Sequence, residues 1–422
     1  METKVIHPRG KDAVQVSVPG SKSITHRMLI AAALAQGDSV IENGLVAEDT
    51  LLTMEGLCMM GARISREADV FSVSGTGGKL VAPAEAVSLG NSGTSIRLLT
   101  AVAALAQGET TLTGTERLRS RPIGELVAAL NELDVACRTG SPGGTPPVTV
   151  AGAPIEKTRV SIDCRKSSQY LSGLLLIAPF ARNGLRIEVT GGLVSKPYVD
   201  VTISAMQEFG VTVERRGYES FTVTPGQSYA AGRYAVEPDA SSASYFFAAG
   251  AVTKKPVTVS GIRRSSSQGD ARLVAVLESM GCRVADSGQG LTVCGGDLSP
   301  VTVDMGDMPD MVPTLAVVAA FAKGRTVIEN VAHLAQKESD RLATVCSELS
   351  RLGVSASHDG TNLTVNGTGQ ITRGASIETH NDHRIAMAFA VAGLVTPGVV
   401  IENPACVAKS FPGFWEIWGK LY

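Results

Sequence analysis

The chain has 422 residues, of which 44% are hydrophobic, and a formal net charge of −2. That length and apolar content can build two or three cores, which excludes a disordered chain, and the near-neutral charge excludes a global basic field for nucleic acid or an anionic membrane. The seven cysteines form no CxxC pair and no His/Cys ligand spacing, which points to reduced structural thiols and no metal centre. Apolar runs of about a dozen residues are too short to span a bilayer. The start, Met1-Glu2-Thr3-Lys4-Val5, has no apolar signal core, so a cytoplasmic protein is expected.

In chain order, one pattern recurs. Small polar residues lead into an apolar helix of about three turns, a Gly or Asn break follows, and a β-rich strand ends near Gly or Asn. It spans Ser23–Asn43, then Gly93–Gly114, Ser167–Gly191, Ser241–Gly261, Met311–Asn330 and His383–Asn403. Between copies lies an amphipathic helix, a break and two short strands: Glu48–Ile64 then Val70–Ser74, Ile123–Cys137 then Val148–Ala151, and Val199–Val213 then Ser220–Thr224. Ala271–Val284 then Leu291–Cys294, and Arg341–Ala356 then Asn362–Val365, continue the series, and the sixth copy has no second half.

A period of roughly 72 residues is longer than that of solenoids and gives each copy its own helices and strands. Six α/β units that bury their apolar helices together are therefore expected. The first helix of each copy is apolar nearly all round and should lie inside, with the amphipathic helices and strands packed over it. Six such units exceed one core, so two domains of three units are expected, with the seam around Gly232–Pro238.

The helix starts share a second property. Lys22, Ser23 and Arg27 open the first, Gly90-Asn91-Ser92-Gly93-Thr94-Ser95-Ile96-Arg97 the second, and Arg165-Lys166-Ser167-Ser168-Gln169-Tyr170 the third. Asp239-Ala240-Ser241-Ser242, Asp307-Met308-Pro309-Asp310 and His380-Asn381-Asp382-His383-Arg384 open the others. Capping accounts for Ser and Asp, but Lys and Arg are destabilising at the positive end of a helix unless an anion offsets them. Glycines 90 and 93 would let an anionic ligand approach the backbone N–H groups. The set reads as an anion site built from converging helix starts. Arg117–Pro122, Gln336–Arg341 and Ala408–Pro412 add charge elsewhere; each alone reads more readily as a solvated charge run than as part of a site.

SKSITHR, GNSGTSIRLL, RSRPIGEL, SSQY, SKPY, DASSASYF, KESDR, NDHRIAMA and AKSFPGF occur in this order from end to end. Together they resemble the successive motifs of the 5-enolpyruvylshikimate-3-phosphate synthase family of enolpyruvyl transferases. The resemblance implies an α/β fold of six βαβαββ-type units in two three-unit domains, an inside-out α/β barrel. The first domain would span 19–237. The second would span 238–422 with residues 1–18 returning to it, and the active site would lie in a cleft between the two that closes on binding. It also implies transfer of the enolpyruvyl group of phosphoenolpyruvate to the 5-hydroxyl of shikimate 3-phosphate by addition and elimination, releasing phosphate, in the shikimate pathway to aromatic amino acids. No cofactor or metal is implied, and the partners are the two small substrates, with no nucleic acid, no membrane and a monomeric chain.

Both substrates carry a phosphate and a carboxylate, so a cationic site is needed to offset their repulsion. By motif match, the resemblance implies Lys22, Gly93, Arg121, Gln169, Arg341, Arg384 and Lys409 as phosphoenolpyruvate contacts. It implies Lys22, Ser23, Arg27, Ser167, Ser168, Gln169, Ser195, Tyr198, Asp310, His333 and Lys337 as shikimate 3-phosphate contacts. Addition needs a base for the 5-hydroxyl and an acid for the methylene carbon; Asp310 and Glu338 are the candidates, with Lys22 a further proton donor or phosphate stabiliser.

The chain departs from the family in places. His333 stands where many relatives carry Asn, Leu98 where many have Pro, and Ser92 and Ser95 where Ala is common. Gly93 is retained, and a larger side chain there would crowd the phosphoenolpyruvate site, which glyphosate also occupies in this family. Competition between glyphosate and phosphoenolpyruvate is expected, with Leu98 leaving the sensitivity open. The sister transferase acting on UDP-N-acetylglucosamine uses a loop cysteine in its second unit, and Gly108–Arg121 contains none. A non-catalytic anion-binding relative is the other alternative, and the joint presence of Asp310, Glu338, Lys22 and Lys409 argues against it.

Overall fold

A computed structural model of the chain describes residues 2–422; Met1, part of the segment expected to return to the second domain, lies outside them. The main helices are α1 (Lys22–Leu34), α2 (Glu48–Met59), α3 (Gly93–Val102), α4 (Gly124–Glu132), α5 (Gln169–Ile177) and α6 (Pro197–Glu208). They continue with α7 (Ala240–Thr253), α8 (Leu273–Ser279), α9 (Val312–Ala320), α10 (Arg341–Arg351) and α11 (His383–Gly393).

The copies build closely similar sheets. In the second, third, fifth and sixth, the strand after the apolar helix pairs parallel with the strand just before that helix, so the helix is the crossover. In the first five copies its other edge pairs antiparallel with a hairpin that follows the amphipathic helix. In the fifth copy, for example, Lys323–Glu329 lies between Thr302–Asp304 (parallel) and Leu363–Thr368 (antiparallel), and Ser355–His358 completes the order. Three sheets borrow a strand from far along the chain. Arg233–Ala235 supplies the parallel partner of the first copy's strand Gln36–Glu42. Val14–Val16 does so for Val257–Ser260 of the fourth, and Thr3–Val5 pairs antiparallel with Val400–Glu402 of the sixth, where the hairpin would otherwise be.

The chain divides into two compact lobes: a middle lobe, Gly20–Val236, and a terminal lobe, Met1–Pro19 with Glu237–Tyr422. Each has its own core. In the middle lobe α1, α3 and α5 are buried along nearly their whole length, and in the terminal lobe α7, α9 and α11 are. Their alanine- and leucine-rich sequences have no polar face to turn to water, which is why they lie inside. The amphipathic α2, α4, α6, α8 and α10 bury one side only.

Ser92, Asp239, Asp340 and Asp382 cap α3, α7, α10 and α11, each side chain accepting from a first-turn N–H, which is the local reason those helices start where they do. All seven cysteines are free. Among the described residues no helix is long and apolar enough to cross a membrane, and no group of three or more His, Cys, Asp or Glu is placed to hold a metal ion.

Candidate active site

Within the middle lobe, side chains from the starts of α1, α3 and α5 meet. Lys22 Nζ lies 3.0 Å from Asp49 Oδ2, in the first turn of α2. Arg121 follows the short helix Glu116–Arg119, and its guanidinium lies over Gly93, 2.5 Å from where a Cβ on that glycine would stand. Gly93 is thus the seat of a buried arginine at the N-terminus of α3. A cation there and the open N–H groups of the helix can grip one anion from two sides.

Gln169 is clamped at both ends of its amide. Arg97 Nη1 donates to its Oε1 at 2.9 Å, and its Nε2 donates to Thr94 Oγ1 at 2.9 Å. Arg97 also donates to the Pro122 carbonyl and lies 5.5 Å from the centre of the Tyr170 ring, so it braces the Arg121 segment against α5. Leu98 is fully buried in the core. Ser167 Oγ accepts from the Gln169 N–H, and Ser168 is buried at the start of α5. Ser195 is buried with φ of +53°, a left-handed conformation that a non-glycine residue holds at a cost. The backbone there turns into α6, where Tyr198 sits in the first turn.

Arg27 is only 1% exposed. It makes four donations, to Thr202 Oγ1 (2.6 Å), the Ser23 carbonyl (2.8 Å), Ser172 Oγ (3.2 Å) and the Tyr198 carbonyl (3.0 Å). Burial lowers its pKa to about 10. The expected substrate contact is thus first a cross-tie of α1 to α5 and α6.

Within the terminal lobe the acidic and basic candidates form one network. Arg341, 1% exposed, donates Nη1 to Asp310 Oδ1 (2.8 Å), Nη2 to Glu338 Oε2 (2.8 Å) and Nε to Asp382 Oδ2 (2.8 Å). Arg384 Nη2 donates to Asp310 Oδ2 at 2.6 Å and its Nη1 to Tyr245 Oη at 3.2 Å. Lys337 Nζ stands 3.8 Å from Asp310 Oδ1. Burial opposes the charge of Arg341, but Asp382, Glu338 and Asp310 outweigh it and raise its pKa. Burial likewise works against the Asp382 carboxylate, and Arg341 more than offsets it, so its pKa falls.

His333 is pushed down to about 4 by burial and by Lys337, with Asp310 pulling weakly the other way. Lys409, at the end of the 3-10 turn Pro404–Lys409, is buried against the α11 side of the lobe. Asp270, 5% exposed, accepts from Ser241 Oγ at the start of α7. Burial and the neighbouring Asp310 push it up to about 6, against the pull of Arg384.

The expectation that cations at helix starts need anions is met in part by the protein itself. Asp49 answers Lys22, and Asp310, Glu338 and Asp382 answer Arg341 and Arg384. Sequence reading missed Asp49, Tyr245, Asp270, Ser172 and Thr202 as members of these networks. Asp49 had one legible signal, an acid in the first turn of a helix; the others look like ordinary helix residues.

Residues 8–418 match the family described as EPSP synthase (3-phosphoshikimate 1-carboxyvinyltransferase). The chain is 45% identical over 419 residues to a 3-phosphoshikimate 1-carboxyvinyltransferase of Syntrophobacter fumaroxidans, covering 99% of each. Among solved structures, an EPSP synthase from Acinetobacter baumannii is 28% identical with a TM-score of 0.83, over 99% of this chain and 98% of that one. The enolpyruvyl transferase NikO from Streptomyces tendae shares the fold, with a TM-score of 0.78 over 99% of this chain and 97% of that one at 21% identity.

Proposed function

Since the chain belongs to the EPSP synthase family and so transfers the enolpyruvyl group of phosphoenolpyruvate to the 5-hydroxyl of shikimate 3-phosphate with release of phosphate, we propose that the clusters at the helix starts of both lobes carry that transfer. Lys22, Gly93 with Arg121, Gln169, Arg341, Arg384 and Lys409 hold phosphoenolpyruvate. Ser23, Arg27, Ser167, Ser168, Gln169, Ser195, Tyr198, Asp310, His333 and Lys337 serve shikimate 3-phosphate, with Lys22 between the two. Arginine forks suit the phosphate and carboxylate groups of both substrates.

Asp310 and Glu338 move the protons. Both oxygens of Asp310 are occupied by guanidinium groups. A substrate anion that takes over Arg341 and Arg384 would release it to accept the 5-hydroxyl proton. Glu338 shares the same guanidinium and exchanges a proton with the methylene carbon. Lys22 stabilises the phosphate that leaves.

The observation that carries this reading is the carboxylate pair Asp310 and Glu338 on one buried arginine. It is tested by phosphate release on mixing the protein with phosphoenolpyruvate and shikimate 3-phosphate. Release is expected with that acceptor, and release only when UDP-N-acetylglucosamine replaces it would overturn the reading. Glu338→Gln is expected to lower kcat by roughly 100-fold or more while KM values stay within about threefold. Glyphosate is expected to compete with phosphoenolpyruvate. We also place the enzyme in the cytoplasm as a monomer, to be checked by fractionation and light scattering.

A further inference from the structure

The second turns of α1 and α2 are joined to the start of α3 by a chain of buried groups that take no part in the proposed transfer. His26 Nδ1 lies 2.8 Å from Thr53 Oγ1, Thr53 Oγ1 lies 2.7 Å from Ser95 Oγ, and Ser95 Oγ lies 2.7 Å from Ser92 Oγ. All four side chains are fully buried. Ser95 also donates to the Asp49 carbonyl at 3.1 Å, and the Asp49 carboxylate holds Lys22.

Counting protons fixes the direction of this chain. A carbonyl only accepts, so the single hydroxyl proton of Ser95 goes to Asp49. Thr53 and Ser92 then both donate to Ser95 Oγ, filling its two lone pairs. With its one proton committed to Ser95, Thr53 can only accept from the imidazole, so His26 carries a proton on Nδ1.

Deeper in the lobe the same helices meet through apolar groups: Met28, Leu57, Leu98 and Leu99 are buried there. Apolar contacts tolerate sliding, whereas hydrogen bonds weaken steeply when misaligned. Replacing hydroxyl pairs by apolar groups of the same shape can be nearly neutral for stability. Stability alone therefore does not call for hydroxyls at this end, but a fixed placement of the helix starts does.

We infer that Thr53 and Ser95 are positioning residues for the enolpyruvyl transfer: they fix Asp49, and through it the Lys22 ammonium, and they fix the start of α3, where Gly93 seats the Arg121 guanidinium. The inference rests on the reading of Lys22, Gly93 and Arg121 as phosphoenolpyruvate contacts.

The test is steady-state kinetics of Thr53→Val, Ser95→Ala, the double variant and Thr53→Ser, each checked for folding by its melting temperature. KM for phosphoenolpyruvate should rise roughly five- to tenfold in either single variant, with kcat changed by less than about threefold. The double variant should add less than about twofold to the larger single effect, because one chain is being cut twice. Thr53→Ser, which keeps the hydroxyl, should restore KM to within about twofold of the parent. Folded single variants with an unchanged KM overturn the inference, as does failure of Thr53→Ser to restore it. Arg121→Ala separates the two readings. If it too leaves that KM unchanged, the contact assignment has failed; if it raises KM while Ser95→Ala does not, only the positioning role has. Long-range nitrogen–proton spectra of histidine-labelled protein, with the His26 signals assigned by their loss in His26→Gln, should show a proton on Nδ1. An unprotonated Nδ1 would also sink it.

Discussion

Two titratable groups of the terminal lobe, the half-buried His333 and the buried Asp270, make opposite demands on pH. His333 has its pKa depressed to about 4 by burial and Lys337, below the unfolded value of about 6.5. As pH falls between these values the unfolded chain takes up a proton that the folded chain refuses, so stability present above the upper value is lost towards the lower. Asp270 is raised to about 6 by burial and Asp310, above the unfolded value of about 3.9. Here the folded chain holds the extra proton, so stability present below the lower value is lost as pH rises through the upper. His333→Asn should therefore flatten the acid side of the urea-unfolding profile, gaining on the order of 2 kcal/mol relative to the parent near pH 4.5 and little near pH 7.5. Asp270→Asn, which can still bond Ser241, should gain a similar amount near pH 7.5 and lose the advantage near pH 4. Parallel profiles for parent and variant would contradict the corresponding assignment. At this scale the sequence was legible where a residue type conflicts with its position, as with Lys22 and Arg384 at positive helix ends. It was opaque for Asp270 and Thr202, whose roles come from neighbours that only the folded chain supplies.

Glycines separate fold from function among the elements. At the end of the second hairpin strand of four copies, Gly75, Gly152, Gly295 and Gly367 lie on carbonyls at or just past the C-terminal end of the first helix of the copy. A Cβ would stand 2.2 Å from the Ala35 oxygen, 1.8 Å from that of Ala106, 1.8 Å from that of Ala251 and 2.2 Å from that of Ala319, respectively. None of the four has a positive φ, so the requirement is close approach of backbone to backbone. Gly93 differs, because its Cβ would meet the end of the Arg121 side chain, which can move. Gly295→Ala should therefore cost roughly 3 kcal/mol or more of stability in chemical denaturation. Gly93→Ala should melt within about 2 °C of the parent yet raise KM for phosphoenolpyruvate roughly tenfold by displacing the guanidinium. A strongly destabilised Gly93→Ala would remove it from the site and return it to the scaffold. The apolar helices and their hairpins were readable because their periodicity is strong and repeated. The four packing glycines were visible in sequence but carried no sign of what they touch. Helix ends blurred where a 3-10 turn takes over, as at Ala103–Leu105 after α3 and Ala178–Phe180 after α5.

The described residues form two cores rather than one, and among them no buried residue belongs to both. Repeat length and core size lead to an expectation of two three-unit halves, but nothing in them announces the strands at Thr3–Val5, Val14–Val16 and Arg233–Ala235. Each is three residues long and its partner is distant in the chain, so no local pattern announces the pairing. The N-terminal strands are held by a polar anchor. Arg9 donates to Thr253 Oγ1 (2.9 Å) and to the carbonyls of Lys255 (3.0 Å) and Pro256 (2.9 Å), at the end of α7. Burial lowers its pKa, with Asp12 pulling the other way. Arg9→Met keeps the aliphatic stem and leaves those acceptors without their donor, at a cost of about 2 kcal/mol. Tyr229, buried in the middle lobe with its hydroxyl on the Leu176 carbonyl at 2.9 Å, is the matching probe there, and Tyr229→Phe should cost about 1 kcal/mol. If each core unfolds as its own cooperative unit, calorimetry resolves two transitions. Arg9→Met then lowers one by about 4–8 °C, and Tyr229→Phe lowers the other by about 2–4 °C. A single transition that both substitutions move together would mean that the cores, although separate in their side chains, unfold as one.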